Sequence, residues 1–172
     1  ITFQKIRWKN FLSTGDQFSE IDFQKNATNL IVGTNGTGKS TVLDALTFSL
    51  FNKPFRKINK SQLVNATNEK DTQVEVEFDI NGRQYLVRRC MKPNLFEIEV
   101  DGQKMHKQAD DRAMQKILEE NILKVNYKSF TQIVILGSSA FVPFMQLSGS
   151  NRREVIEDCL LYTSPSPRDN TT

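Results

Sequence analysis

Eight consecutive residues, Gly33-Thr34-Asn35-Gly36-Thr37-Gly38-Lys39-Ser40, follow the pattern G-x-x-x-x-G-K-[ST]. These residue types at this spacing suit one chemistry, the capture of a polyphosphate. Glycines at 33, 36 and 38 let the backbone turn sharply and come close to an anion. Lys39 supplies a point charge for the β- and γ-phosphates, and Ser40 a hydroxyl for the Mg2+ that bridges them. Asn35, Gly36, Thr37 and Gly38 line the cradle, and Thr41 completes it with the first N–H groups of a following helix. The implied ligand is a nucleotide with its metal.

The flanks must position this loop. Leu30-Ile31-Val32 predicts a short buried strand before it. Val42, Ala45, Leu46, Ser49 and Leu50 recur at i, i+3, i+4, i+7 and i+8 and predict a helix after it. That helix is expected to stop near Phe51-Asn52, because Pro54 cannot continue it.

Elsewhere the chain offers little other chemistry. One histidine, His106, sits in a polar stretch beside Lys104 and Lys107, so the clustered His and Asp ligands of a metal-dependent nuclease are missing. Cys90 and Cys159 form no C-x-x-C, which favours a reducing, cytoplasmic setting. No apolar run is long enough to span a membrane, and no signal peptide is visible. A net charge of +3 permits a nucleic-acid partner without requiring one. The chain opens on Ile1, so its natural start is expected to lie upstream.

The clearest β pattern runs through residues 72–102. Val74, Val76, Phe78 and Ile80 alternate with Gln73, Glu75, Glu77 and Asp79. Asn81-Gly82 turns the chain back through residues 85–89. Pro93-Asn94 turns it again into Phe96, Ile98 and Val100, closed by Asp101-Gly102. An antiparallel meander with one wet face is predicted. Strands are also expected at residues 2–8, 18–23 and 132–136, and helices over 109–121, over 125–130 and from about Ser150. Residues 53–68 read as an exposed basic loop. Residues 161–172 lack periodicity and hold Pro165 and Pro167, which suggests a tail that is either disordered or foreign to the fold.

Taken in order, several stretches resemble the N-terminal half of the ATPase head of SbcC-type DNA double-strand-break repair proteins. That group lies within the wider SMC/ABC ATPases, and the likeness is strongest to the phage recombination-endonuclease large subunits. The residues that carry it are Trp8-Lys9-Asn10-Phe11-Leu12-Ser13, residues 29–51, Val74-Glu75-Val76-Glu77-Phe78 and Tyr85-Leu86-Val87-Arg88-Arg89. Phe130 to Gly137, Pro143-Phe144-Met145 and Arg152 to Asp158 continue it. The resemblance implies an α/β fold: a P-loop ABC/SMC-type head lobe over residues 1–160 with an antiparallel β-lobe. It implies ATP and Mg2+, a homodimer of complete heads, double-stranded DNA and an SbcD-type nuclease as partners, and the host cytoplasm if the gene is phage-borne. It also places Ser13 near the nucleotide, and it implies a later part of the protein carrying the signature motif, the Walker B acid and the catalytic glutamate.

Two departures bear on the site. Leu12 stands where many relatives have arginine, and Gly137-Ser138-Ser139 stands where a glutamine loop often reads Q-G-Q. Gln132 lies several residues early, on the preceding strand, so Gln132 and Ser138 are both candidates for the metal, with the structural role favoured for Gln132 and Ser138 expected to hold the metal through water. Leu147-Ser148-Gly149-Ser150 looks like the signature of an ABC transporter motor, which is the rival reading; a third is a nucleotide- and DNA-binding module without turnover. No acid follows an apolar strand as a Walker B acid would, so the chain alone is expected to lack ATPase activity. Arg56, Lys57, Lys60, Arg88 and Arg89 are the candidate DNA contacts, to phosphates rather than bases.

Overall fold

Alternating apolar and charged residues build a six-stranded antiparallel sheet, the frame on which the candidate site rests. The computed structural model describes residues 1–107, 110–135 and 144–163, with side chains to 160. Two compact units divide the chain, Ile1–Met114 and Gln115–Thr172. The strands of the first unit are β1 (Thr2–Lys9), β2 (Ser19–Asp22), β3 (Thr72–Ile80), β4 (Arg83–Met91), β5 (Leu95–Val100) and β6 (Gln103–Lys104). Their order across the sheet is β2-β1-β3-β4-β5-β6. Asn81 and Gly82, like Asp101 and Gly102, both have positive φ, as two-residue hairpin turns between twisted strands require.

The inner face carries the core. Val76, Val87 and Ile98 stand in register across β3, β4 and β5 and are fully buried or nearly so. Helix α1 (Thr41–Phe51) packs against β1, β3 and β4, with Phe48 and Leu50 fully buried. Each such side chain contributes roughly 1.5–3 kcal/mol by leaving water. Arg89 also lies on this inner face. Its guanidinium stacks 3.7 Å over the Phe96 ring and donates to the Ser49 carbonyl at 3.1 Å, placing a cation at the carbonyl end of α1.

The outer face is a ladder of alternating charge. Arg7, Glu75, Arg88 and Glu97 are successive cross-strand partners on β1, β3, β4 and β5. Arg7 and Arg88 both pair with Glu75, Arg88 donates on to Glu97 at 2.8 Å, and Lys104 closes the row on Glu97 at 3.0 Å. Cross-strand pairs of opposite charge stabilise this register.

From the end of the first unit onward the described residues are mainly helical. Helix α2 (Asp111–Ile117) leads into a π-helical turn (Leu118–Leu123), and α3 (Tyr127–Ile133) packs on α4 (Gly149–Thr163). Asn126 caps α3 by accepting from the Ser129 N–H and donates to Glu154 at 2.7 Å, while Ser129 donates to Asp158.

Three expectations need correction. Leu30-Ile31-Val32 is not a buried strand: Leu30 and Val32 are 87% and 81% exposed and pair with nothing in the sheet. A three-residue apolar run becomes a buried strand only where strands flank it, and none does among the described residues. Residues 132–135 are not a strand either, since α3 runs to Ile133 and Val134 caps it; residue 136 lies outside the described residues. The Asn126 cap and the buried Phe130 start a helix that takes in Gln132 and Ile133 and ends at Val134. Residues 53–68 are not wholly exposed: Phe55, Leu63, Val64 and Asn65 are buried, and Phe11 bridges Val64. Residues 164–172 also lie outside the described residues.

Burial pushes the Glu75 carboxyl upward, but the hydrogen bonds from Arg7 and Arg88 outweigh it and hold the group below its usual 4.5. A carboxyl depressed by folding contributes stability that is present above 4.5 and lost as pH falls through its folded value. Glu75→Gln is therefore expected to lose about 1–3 kcal/mol in urea unfolding at pH 7, with the deficit shrinking as the pH drops below the carboxylate range. An equal deficit at neutral and acid pH contradicts this role.

Candidate nucleotide site

The loop before α1 has the backbone shape of an anion cradle. Gly36 and Gly38 have φ of +85° and +86°, a region that side chains with a Cβ rarely enter. Gly33 is constrained by space instead, because a Cβ there would lie 2.5 Å from Thr37 Oγ1. That hydroxyl donates to the Thr34 carbonyl at 2.7 Å, and the Thr37 N–H reaches the same oxygen at 3.3 Å. Helix α1 then begins with Thr41 N–H donating to the Gly38 carbonyl at 3.0 Å. Ser40 occupies the N-cap position yet makes no capping hydrogen bond, so its exposed hydroxyl is left for another ligand.

Lys39 folds back over the loop. Its ammonium donates to the Gly33 carbonyl and, at 2.8 Å, to the Thr34 carbonyl. The loop thus carries a positive charge on its own rim. With the N–H groups and dipole of an eleven-residue helix, this is an arrangement that can hold phosphate oxygens, and the Ser40 hydroxyl suits a hard cation such as Mg2+.

One residue unforeseen in the sequence holds the first turn of α1. Asp44 is fully buried, and its Oδ1 accepts from the backbone N–H groups of Phe55 and Arg56 at 3.0 and 2.9 Å. Its Oδ2 accepts from Arg56 Nε at 2.6 Å. An acid in the first turn of a helix is favoured by the dipole, which was the available signal.

Ser13 is exposed at the tip of a loop that neighbouring asparagines organise. Asn65 Nδ2 donates to the carbonyls of Leu12 and Thr14, both at 3.0 Å, and Asn68 donates to Asn10 at 2.7 Å. Phe11 anchors this loop on α1, its ring 5.7 Å from that of Phe48. Among the described residues, no hydrogen bond joins Ser13 to the phosphate loop.

The remaining candidates separate. Gln132 lies on α3 in the second unit with its Oε1 buried and unpartnered, and Ser138 lies outside the described residues. Arg88 and Arg89 are engaged within the sheet, as described above, whereas Lys57 and Lys60 are exposed. Partial burial, then repulsion from Arg89, lowers the Lys60 pKa against the opposing attraction of Asp111. Ser148 accepts from the Asn151 N–H at 3.3 Å, so it caps α4. Burial pushes the Cys90 thiol up to about 11, unlike an activated nucleophile. No group of three or more metal-ligating His, Cys, Asp or Glu occurs among the described residues.

Comparison with known proteins decides the family. A family model described as an AAA domain matches residues 5–163. The chain belongs to this AAA family. Within it, the chain is 43% identical over 156 residues to exonuclease subunit 2 of Escherichia phage RB69, covering 91% of this chain and 28% of that protein. It is 30% identical over 171 residues to the SbcC component of the SbcCD nuclease of Clostridium acetobutylicum, covering 89% of this chain and 14% of that protein. This AAA-family chain therefore spans little more than a quarter of the phage relative it matches. A structure from work on ATP-driven dimerization and DNA-stimulated activation of SMC ATPases superposes with a TM-score of 0.60 at 23% identity, over 92% of this chain and 99% of that one. The fold is that of a P-loop ABC/SMC-type ATPase head, and the relatives are SbcC-type DNA repair ATPases.

The crowding at Gly33 generates a specific expectation. Gly33→Ala forces Thr37 off the Thr34 carbonyl and should weaken binding of a fluorescent ATP analogue by about tenfold or more. Adding Thr37→Ala removes the atom in the way and should restore part of the loss. A double variant no better than Gly33→Ala contradicts the steric account.

Proposed function

We propose that this chain is the ATP-binding part of a DNA repair and recombination ATPase head. In the complete protein, ATP binding and hydrolysis would gate a partner nuclease of SbcD type on double-stranded DNA. The observation that carries this reading is the phosphate loop itself, with Gly36 and Gly38 at positive φ, Lys39 on its rim and α1 behind it, in a chain of SbcC-type kinship.

The chain's own residues have definable roles. Backbone N–H groups of residues 35–41 hold the β-phosphate region, and Lys39 exchanges the Gly33 and Thr34 carbonyls for phosphate oxygens. Ser40 would help hold Mg2+, which would supply charge neutralisation on the phosphates. Asn35, Gly36, Thr37, Gly38 and Thr41 shape the cradle, and the Ser13 loop lies over α1 through Phe11.

Turnover needs an acid to orient water, and the carboxylate nearest the loop along α1 is already committed. Asp44 is buried with three hydrogen-bond donors around it. The chain should therefore bind ATP without hydrolysing it, as expected of one lobe of a head whose other elements lie further along the protein and whose working state is a homodimer of complete heads. Among the described residues, no helix is long and apolar enough to cross a membrane, and the host cytoplasm is the setting that suits this function.

Lys39→Ala should abolish Mg2+-dependent binding of a fluorescent ATP analogue while leaving the thermal transition in place. Phosphate release from ATP should stay at background for both proteins. Turnover by the wild-type chain that disappears in Lys39→Ala would falsify the division between binding and hydrolysis.

A further inference from the structure

The sequence holds two Asn-Gly pairs, Asn35-Gly36 in the phosphate loop and Asn81-Gly82 between β3 and β4. Such a pair carries its own reaction. The glycine nitrogen, unshielded by any side chain, can reach the carbonyl carbon of the preceding asparagine side chain. The two pairs differ in how free the reacting groups are.

Both residues of the loop pair are exposed. They are the central residues of a turn closed by the Thr37 N–H and hydroxyl on the Thr34 carbonyl, bonds that leave the peptide between them untied. Among the described residues, nothing hydrogen-bonds to the Gly36 N–H or to the Asn35 side chain. A Cβ at Gly36 would meet nothing within 4 Å, so this peptide has room to rotate, and glycine accepts φ of either sign as it does so. The electrostatics also suit the reaction. Lys39 on the rim and the N-terminal end of α1 favour negative charge, whether on a phosphate or on the nitrogen and oxygen of a reacting amide. The hairpin pair is equally exposed but tied. Gly82 N–H donates to Asp79 Oδ1 at 3.2 Å, and the ladder pair Ile80–Arg83 closes around it.

We propose that Asn35-Gly36 is a self-modification site that retires the phosphate loop when it stands empty. The Gly36 nitrogen gives up its proton and bonds to the Asn35 side-chain carbonyl carbon. The bond from that carbon to the amide nitrogen breaks, and ammonia leaves with the proton, closing a cyclic imide. Water then adds to either imide carbonyl and the ring C–N bond breaks. The product is aspartate at position 35, or isoaspartate with the main chain rerouted through the side-chain carbon. Either one sets a carboxylate in a cradle shaped for anions, and isoaspartate also lengthens the loop backbone. Bound nucleotide would occupy the Gly36 N–H and hold the reaction off. The loss of binding and the protection rest on the ATP-binding reading above; the modification itself does not.

The test holds the full 172-residue chain at physiological temperature and neutral pH, with and without a non-hydrolysable ATP analogue and Mg2+. Both Asn-Gly peptides are followed by mass spectrometry, with fragmentation that separates aspartate from isoaspartate. Residue 35 should convert about fivefold or more faster than residue 81, which must first give up the bond to Asp79. Analogue at about ten times its Kd should slow residue 35 about tenfold and leave residue 81 unchanged. Binding of a fluorescent ATP analogue should fall in step with conversion at residue 35. Freshly prepared Asn35→Asp with an intact thermal transition should bind about tenfold or more weakly. If Asn35→Asp fails to fold, the aged wild-type sample still decides. Residue 35 that stays intact, or converts no faster than residue 81, overturns the proposal. Conversion without loss of binding overturns its claim on the phosphate loop. A fresh wild-type chain that binds no nucleotide marks the failure of the ATP-binding reading instead, and the comparison of residues 35 and 81 stands without any ligand.

Discussion

Helix α1 must be held still at both ends, and the buried carboxylate of Asp44 is what holds the end that matters. A carboxylate removed from water is costly unless its lone pairs are satisfied. Here two backbone N–H groups and one guanidinium satisfy it, so the chain beyond Pro54 is obliged to return against the first turn of the helix. At the other end, Arg89 reaches from β4 to the Ser49 carbonyl, and Asn52 ends the helix in a left-handed conformation with its N–H on the Phe48 carbonyl. The phosphate loop inherits its position from these two ties.

The same economy of charge divides the basic residues by task. Across the outer face of the sheet, Arg7 and Arg88 are matched to Glu75 and Glu97, leaving a surface with little net field to offer a polyanion. Arg89 is turned inward against Phe96. In the segment after α1, Lys57 and Lys60 are exposed and Arg56 is held by Asp44.

Much of this was legible before any coordinates. The phosphate loop, the helix after it and the meander are each specified by local signals: glycine spacing, a 3.6-residue stripe, and strict alternation broken by Asn-Gly and Asp-Gly turns. What failed depended on partners distant in sequence. Leu30 to Val32 and residues 132–135 have strand-like composition, but a strand exists only through its neighbours, whereas the Asn126 cap acts locally and wins. The roles of Asp44, Asn65 and Arg89 were equally hidden, because a lone Asp, Asn or Arg gives no indication of which backbone groups it will satisfy.

Hydrogen–deuterium exchange of the wild-type chain, with and without saturating ATP and Mg2+, tests the central claim most directly. The account predicts slowed exchange in the phosphate loop and the first turn of α1, extending to the Phe55 and Arg56 amides that Asp44 accepts from. Unchanged exchange throughout residues 33–44 at saturating nucleotide would contradict it.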